Sequence, residues 1–584
     1  MKLMTNFSLY IKFFIYEIYY FFKISKYIKM VQDYGLKNLL KKLLFNSIIE
    51  PKNSHVMQYL KENKIQWDKI NLSGKKKSIM ITGFVHLPIY YMMSSLIGKL
   101  LQEKFKSDIV CILEEGDYYG ESIYRSFNIK NFVYLKHGSF FNRLLKFKKS
   151  IKILSKMRNI DEFLNYRVGS VYFGKIVYDH FLRHTGNCST DTFDFKIHYL
   201  FSKALDLDDS FKKIIKDNNF KYCVQSEQQF IPGAIAYQNC LEKKIKIFSR
   251  NKGPNLVTIT KFSNENEIFT PVDKIDYKFF YKFFRKYKKK ASLLGAKIIQ
   301  NRINGKDNFS QKAWGIKNTY RNSISFKGLK KIYKWKNNNP VVCIFSHLFV
   351  DGNFSEGRRL FKDNLTWLKS TLEIIKDYNH INWIIKPHPL EHEYPKTSTT
   401  TVQEVLRYEK KYNHIRLFDN RLSNRELSKN IISTVSSHGT VSLEYACLGI
   451  PSIVCGNTKY SKLGFLNDAK TINQYKKMLN NVDKLKPLNK KQIMKANVWV
   501  YIGGKLVLVD NELIPNNVTN QAKLPYYAKK DFWLAAIKKQ KRFNFEKSYF
   551  KKMFFEQLSH NRVNIINYKF IEKDFKTKSK FNSF

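Results

Sequence analysis

Acidic residues are scarce in this 584-residue chain. Asp and Glu total 48 against 103 Lys and Arg, a formal net charge of +55. Such a balance favours polyanionic partners, either nucleic acid or an anionic membrane face. Coding bias has its own claim on the excess, since Lys, Asn, Ile, Phe and Tyr are abundant together. Cysteine is sparse too. The seven, at 111, 188, 223, 240, 343, 447 and 455, form no CxxC pair. That excludes an even disulfide framework. No Cys/His spacing fits a metal, so no metal site is expected. Cys111, Cys223, Cys343 and Cys455 sit in apolar strand-like runs and read as small buried hydrophobes of a reducing compartment. A clean membrane-spanning run is also missing. Lys12, Glu17 and Lys23 interrupt the most apolar stretch, FSLYIKFFIYEIYYFFKIS. No small-residue cleavage site accompanies it, a poor fit to a secretory signal. With the basic stretch KYIKMVQDYGLKNLLKKLLF behind it, this segment reads as amphipathic helices lying in a membrane surface.

Core-forming material is ample. Hydrophobic residues make up 43% and aromatics 15%, which excludes wholesale disorder, and the length suits two to four domains. From residue 76 the pattern becomes alternating. KSIMITGFV (77–85) is a buried strand, 89–105 a helix and DIVCILEEGD (108–117) a second strand. Residues 140–220 read as mostly helical and basic. The theme returns with strand 222–226, helix 233–244 and strand 245–249. Residues 255–335 read as a connector. VVCIFSH (341–347) opens a second series, with strands at 382–386, 415–418, 431–435 and 451–455 and helices between them. Strand–helix alternation predicts parallel sheets covered by helices on both faces. The fold class is therefore α/β, two Rossmann-like domains facing a cleft, with N-terminal amphipathic helices and a helical C-terminal extension. The divisions are a basic amphipathic segment 1–70, a first Rossmann-like domain 71–335, a second 336–475 and a basic helical extension 476–584. A polar tail is expected after about 565, and no short internal repeat is present.

Three strand-end motifs carry chemistry. In IIKPHPLEHE (384–393), a strand delivers Lys386, Pro387, His388 and Pro389 at the edge where parallel sheets bind ligands. The prolines stiffen the turn, so an imidazole and an ammonium are held ready for a phosphate. In STVSSHGTVSLEYACLGIPSIV (433–454), a strand turns through Ser436, Ser437, His438, Gly439 and Thr440 into a helix. Backbone N–H groups, two hydroxyls and an approachable glycine make an anion site there. Glu444, one turn on, can accept from ribose hydroxyls. At Glu114-Glu115-Gly116 two acids end a strand, and alternation turns only one to the substrate as general base. Asp351 after SHLFV, Glu227 at the end of strand 222–226 and His86 in GFVHLP are further cleft candidates for acceptor or donor contacts.

Taken in order, EEG, KPHP and SS resemble the acid-acid-Gly, His-Pro and Ser-Ser motifs of bacterial sialyltransferases, polysialyltransferases and capsule Kdo transferases. Residues 341–466, with HGTVSLEYACLGIPSIV and the following Tyr460, Gly464 and Phe465, are similar to the capsule polysaccharide biosynthesis family. The resemblance implies the GT-B arrangement and a glycosyltransferase using a CMP-activated acidic sugar as substrate, with no separate cofactor. It implies that His388 contacts the phosphate and assists the leaving CMP, that Ser436 and Ser437 bind phosphate oxygens, and that Glu444 binds the ribose. An acid of 114–115 takes the acceptor proton, with Glu115 favoured. His438 and Gly439 also fit UDP-sugar enzymes. The implied partners are a nucleotide sugar, a polysaccharide or glycolipid acceptor and an anionic membrane, with no specific nucleic acid. The implied location is the inner face of the cytoplasmic membrane. A CDP-polyol phosphotransferase of the teichoic-acid type, with His86 as base, is a second expectation. A basic binding protein with a degenerate core is a third.

Overall fold

The computed structural model describes residues 2–21, 36, 53–70, 72, 74, 76–252, 256–304, 324–354, 357–391, 397–419, 422, 424–515 and 529–576. The basic stretch 26–45 therefore lies outside the described residues, apart from Leu36. Among those described, no helix is long and apolar enough to cross a membrane.

Two sheets organise the chain. The first contains β1 (Lys76–Thr82), β2 (Ser107–Glu114), β3 (Asn131–Leu135), β4 (Tyr222–Val224), β5 (Lys246–Lys252) and β6 (Leu256–Phe262). The order β3-β2-β1-β4-β5 is parallel throughout, and β6 returns antiparallel on β5. The second contains β7 (Val341–Phe345), β8 (Asn382–Lys386), β9 (Ile415–Leu417), β10 (Ser433–Ser436), β11 (Ser452–Val454) and β12 (Leu466–Asp468). Its order β12-β11-β10-β7-β8-β9 is fully parallel. Helices cover both faces of each sheet, and strands such as Ile79, Ile81 and Val342–Ile344 are fully buried, as parallel sheets require. This is α/β architecture with two Rossmann-like halves.

Three expectations change. Strand β3 lies ahead of the helical region, so the EEG acids sit on the second strand of a larger sheet. The 255–335 connector holds β6 and a 27-residue helix, Tyr277–Ile303. The polar tail is shorter than expected. Ile565 and Ile566 are buried, and a helix spans Tyr568–Phe575 with Tyr568 and Ile571 buried.

The last hundred residues return to the first half. A final strand, β13 (Val509–Asp510), pairs antiparallel with β6, and Lys261 donates its backbone N–H to the carbonyl of Val563 at 2.7 Å. Helix Lys490–Tyr501 lies along helix Tyr277–Ile303, where Gly295 lets the two backbones touch. A Cβ there would stand 1.9 Å from the carbonyl oxygen of Asn497. Gly295→Ala is thus expected to cost about 1–3 kcal/mol through overpacking, read as a lower thermal midpoint.

Candidate active cleft

The first sheet's C-terminal edge carries a histidine–carboxylate cluster. Strand β1 leads through Gly83 to His86, and β2 ends on Glu114. His86 Nε2 lies 2.6 Å from Glu114 Oε2. The other ring nitrogen, Nδ1, lies 3.1 Å from the Tyr91 hydroxyl and 3.5 Å from Asp117 Oδ2. Tyr91 spends its own proton on Asp117 at 2.7 Å, so its oxygen accepts from His86. Both ring nitrogens then donate, which describes an imidazolium. Burial opposes that charge, but the bonds to Asp117 and Glu114 overturn it and push the His86 pKa up to about 10. Burial likewise works against ionised Glu114. His86, Lys203 and His137 outweigh it and hold the carboxyl below its ordinary value. Glu115, favoured from sequence, is solvent-exposed. Alternation along β2 turns Glu114, not Glu115, to the histidine. Glu227 follows β4 and accepts from the backbone of Gln229 at 2.6 Å. It shares a small niche with Gly83, Phe84 and Tyr91.

The second sheet's edge presents the phosphate-type motifs. His388 Nδ1 accepts from the backbone of Leu390 at 3.2 Å, which leaves the proton on Nε2. Nε2 has no partner among the described residues. Burial lowers the His388 pKa to about 4, with Asp351 pulling the other way, so the ring is neutral near pH 7. The expected pairing of His388 with the Lys386 ammonium is not what the fold builds. Lys386 turns to Asn424 and lies 4.0 Å over the Phe418 ring. Burial lowers its pKa to about 8, with Cys343 and Glu444 pulling the other way. Pro389 is exposed at the turn.

The Ser-Ser-His-Gly segment is more closed than its sequence implies. Ser436 Oγ accepts from the Gly439 N–H at 2.9 Å and lies 3.0 Å from His347 Nε2. That nitrogen also accepts from the His438 N–H at 3.4 Å, so it carries the lone pair and Ser436 donates to it. The Ser436 hydroxyl is fully buried and already spent, which removes it as a direct phosphate ligand. Ser437 Oγ is 3.0 Å from His438 Nδ1. The rings of His347 and His438 stack at 4.2 Å and 8°. Gly439 keeps this corner uncrowded, since a Cβ would stand 3.0 Å from Ser436 Oγ and 3.1 Å from His347 Cε1. The helix that follows, Val441–Ala446, has six residues and no side-chain cap from Thr440. Glu444 takes Arg302 Nη1 at 2.8 Å, and its charge is felt at Lys386.

The two edges meet at Asp351. Its carboxylate is 3.5 Å from Arg183 of the first half, and its charge acts on both His388 and Glu227. Nearby, buried Asp179 accepts from the Asn353 backbone at 3.0 Å and side chain at 3.2 Å, tying the halves together. The adjacent, mutually tilted rings of His180 and His184, centroids 4.0 Å apart, lie close enough to Lys203 to feel its charge, as Glu114 does. Sequence reasoning missed His347, Arg359, Tyr91, Asp117 and this histidine pair. The serine-histidine step after β7 is a strand-end signal that finds His347. Arg359 has no local signal. It reaches the site through the carbonyls of Asn353 and Asn457, at 3.1 Å each, and its charge helps keep His347 and His438 neutral.

A cavity of about 1070 Å³ lies away from these residues, lined by Lys362, Lys369, Glu404 and Arg407 among others. Several of its charges are paired, Lys362 with Asp191 and Arg407 with Glu404. No cluster of three or more His, Cys, Asp or Glu among the described residues is placed to hold a metal. All seven cysteines are free and buried.

No protein-family model matches the chain, and no curated protein matches it. Among solved structures it is similar to the KpsC beta Kdo 2,4 transferase of Thermosulfurimonas dismutans. The identity is 10% over 48% of this chain and 79% of that one, with a TM-score of 0.28. It is also similar to the UDP-GlcNAc 2-epimerase of Neisseria meningitidis, at 10% over 73% and 99%, TM-score 0.23. A third is the MnaA–UDP structure of S. aureus, at 9% over 72% and 91%, TM-score 0.24. At these scores the likeness adds nothing to what the two sheets already show.

Proposed function

We propose that this chain is a glycosyltransferase that moves an acidic sugar from a CMP-linked donor to a hydroxyl of a polysaccharide or glycolipid. One observation carries the reading. The C-terminal edges of two parallel sheets converge, one bearing an ionised carboxylate and the other a neutral histidine with its Nε2–H unspent. The first suits proton abstraction from an acceptor, the second hydrogen bonding to a phosphate. In this scheme Glu114 takes the acceptor proton as the acceptor oxygen bonds the sugar carbon. The bond from that carbon to the phosphate oxygen breaks, and CMP leaves as an anion held by His388. Because His388 is neutral, it acts as a hydrogen-bond donor and need not transfer a proton. Arg359 adds positive charge behind the stacked histidines. In this reading Glu444 is the candidate ribose contact, with Lys386 close enough to feel its charge. The test is turnover of CMP-sialic acid and CMP-Kdo against neutral UDP-sugars; hydrolysis or transfer of neither acidic donor overturns the reading.

His86 argues against the teichoic-type reading. A histidine already protonated at both nitrogens has no lone pair for an acceptor proton. The pH profile separates the two. With Glu114 as base and His86 as its charged partner, kcat is flat across neutral pH and falls as His86 deprotonates near pH 10. With His86 as base, kcat rises toward that pH instead. The same pair sets a stability trend. His86 has a folded pKa above its unfolded value of about 6.5, so its contribution is complete below that pH and lost by about pH 10.

A further inference from the structure

Helix α1 (Lys2–Phe21) is apolar on the side that faces away from the protein. Its inward side is fixed by Phe13, stacked on Phe147 at 4.5 Å, and by buried Glu17. Arg143 holds Glu17 through Nε at 2.9 Å and Nη2 at 2.7 Å, and the Tyr199 hydroxyl adds a bond at 3.2 Å. That anchor leaves Phe7, Ile11, Phe14, Ile15 and Ile18 outward, a single stripe at i, i+4, i+7, i+8 and i+11. Phe7, Ile15 and Ile18 are 69%, 61% and 57% exposed. A helix on a water-facing surface places polar residues there.

The stripe continues onto α2 (Phe140–Leu154). Phe14 touches Phe140 with ring centroids 5.6 Å apart. On α2, Phe141, Leu145, Lys148 and Lys152 share one exposed row at i, i+4, i+7 and i+11. Apolar residues occupy its first turns and lysines the rest. Lys149 and Lys156 are exposed on the same segment, and no acid occurs in the sequence between Glu121 and Asp161. A contiguous apolar patch rimmed by unopposed positive charge is complementary to one surface in particular, acyl chains beneath anionic headgroups.

We propose that the α1–α2 face docks on an anionic lipid bilayer, with Phe7, Ile11, Phe14, Ile15, Ile18 and Phe141 entering the headgroup boundary and Lys148 and Lys152 meeting phosphates. The proposal goes beyond the transfer reaction and stands without it. It assigns the membrane contact to an ordered, anchored face.

Full-length protein is sedimented with vesicles of phosphatidylcholine alone or with about 30% phosphatidylglycerol. Two variants are compared, Ile11→Ser/Ile15→Ser/Ile18→Ser and Lys148→Glu/Lys152→Glu. The wild type is expected to sediment with the anionic vesicles and to be released by salt. Each variant should bind at least about tenfold more weakly at an unchanged thermal midpoint. In Phe141→Trp, brominated lipid should quench the new indole. Wild-type protein that ignores anionic vesicles, or variants that bind equally well, would overturn the proposal. So would a large drop in thermal midpoint in the isoleucine variant, which shows the stripe covered by this chain. A wild-type dimer that the same variant makes monomeric gives the face to a second copy and overturns it too.

Discussion

Glu114→Gln is expected to lower kcat by about 100- to 10,000-fold, the range for loss of a positioned general base. Glutamine keeps the size of the side chain and its hydrogen bond to His86 Nε2–H, so the loop geometry persists. What it loses is the lone pair that takes the acceptor proton. Nucleotide affinity should therefore stay at the wild-type value, because Glu114 belongs to the opposite sheet from the phosphate motifs. Glu115→Gln is the internal control. Its side chain is exposed one residue beyond the strand, and kcat should change little. Equal losses in both variants would mean that the histidine–carboxylate cluster does not select the base. A Glu114→Gln enzyme of full activity would remove the proposed chemistry from the first half.

The second large effect is on binding. His388 offers one unspent donor, Nε2–H, fixed in tautomer by the Leu390 N–H on its other nitrogen. A hydrogen bond from such a group to an anionic phosphate is worth about 1.5–3 kcal/mol, so His388→Ala should weaken nucleotide binding about 10- to 100-fold. His388→Gln keeps a donor and should recover part of the loss. Ser436→Ala makes a contrasting case. Its hydroxyl is spent between Gly439 and His347, so its removal leaves the Gly439 N–H without its acceptor and the His347 nitrogen with only the long bond from His438. The expected result is lower thermal stability by about 1–3 kcal/mol, together with a distorted loop, and not the simple loss of one phosphate contact.

Five of the six strands of the second half were legible because each is a short, mostly apolar run ending in a turn signal; β12, Leu466–Asp468, has one apolar residue and was not. NWIIK has the predicted bounds, 382–386. The same writing located the strand-end loops, and therefore KPHP and SSHGT. Strand β6 was not legible. Its sequence, LVTITKF, sits among Asn, Lys and Glu, and its burial comes from β5 and from C-terminal residues some 300 positions away. The return of the C-terminal helices has no local signature for the same reason. At the site, residue types were readable and their partners were not. Choosing Glu114 over Glu115 needs the register of β2. Recognising that Ser436 is occupied needs His347, which arrives 89 residues earlier in the chain. The Lys386 ammonium looked adjacent to His388 because a single residue separates them, whereas the turn sends one to Asn424 and the other toward Asp351. In each case the chain position is right and the direction of the side chain is set by a distant element.

Calorimetric titration of CMP, CDP and UDP into the purified wild type and His388→Ala tests the central claim most directly. The account predicts CMP as the tightest of the three, with binding weakened in the variant and unchanged in Glu114→Gln. Binding of none of the three nucleotides by the wild type, or CMP binding indifferent to His388, would contradict it.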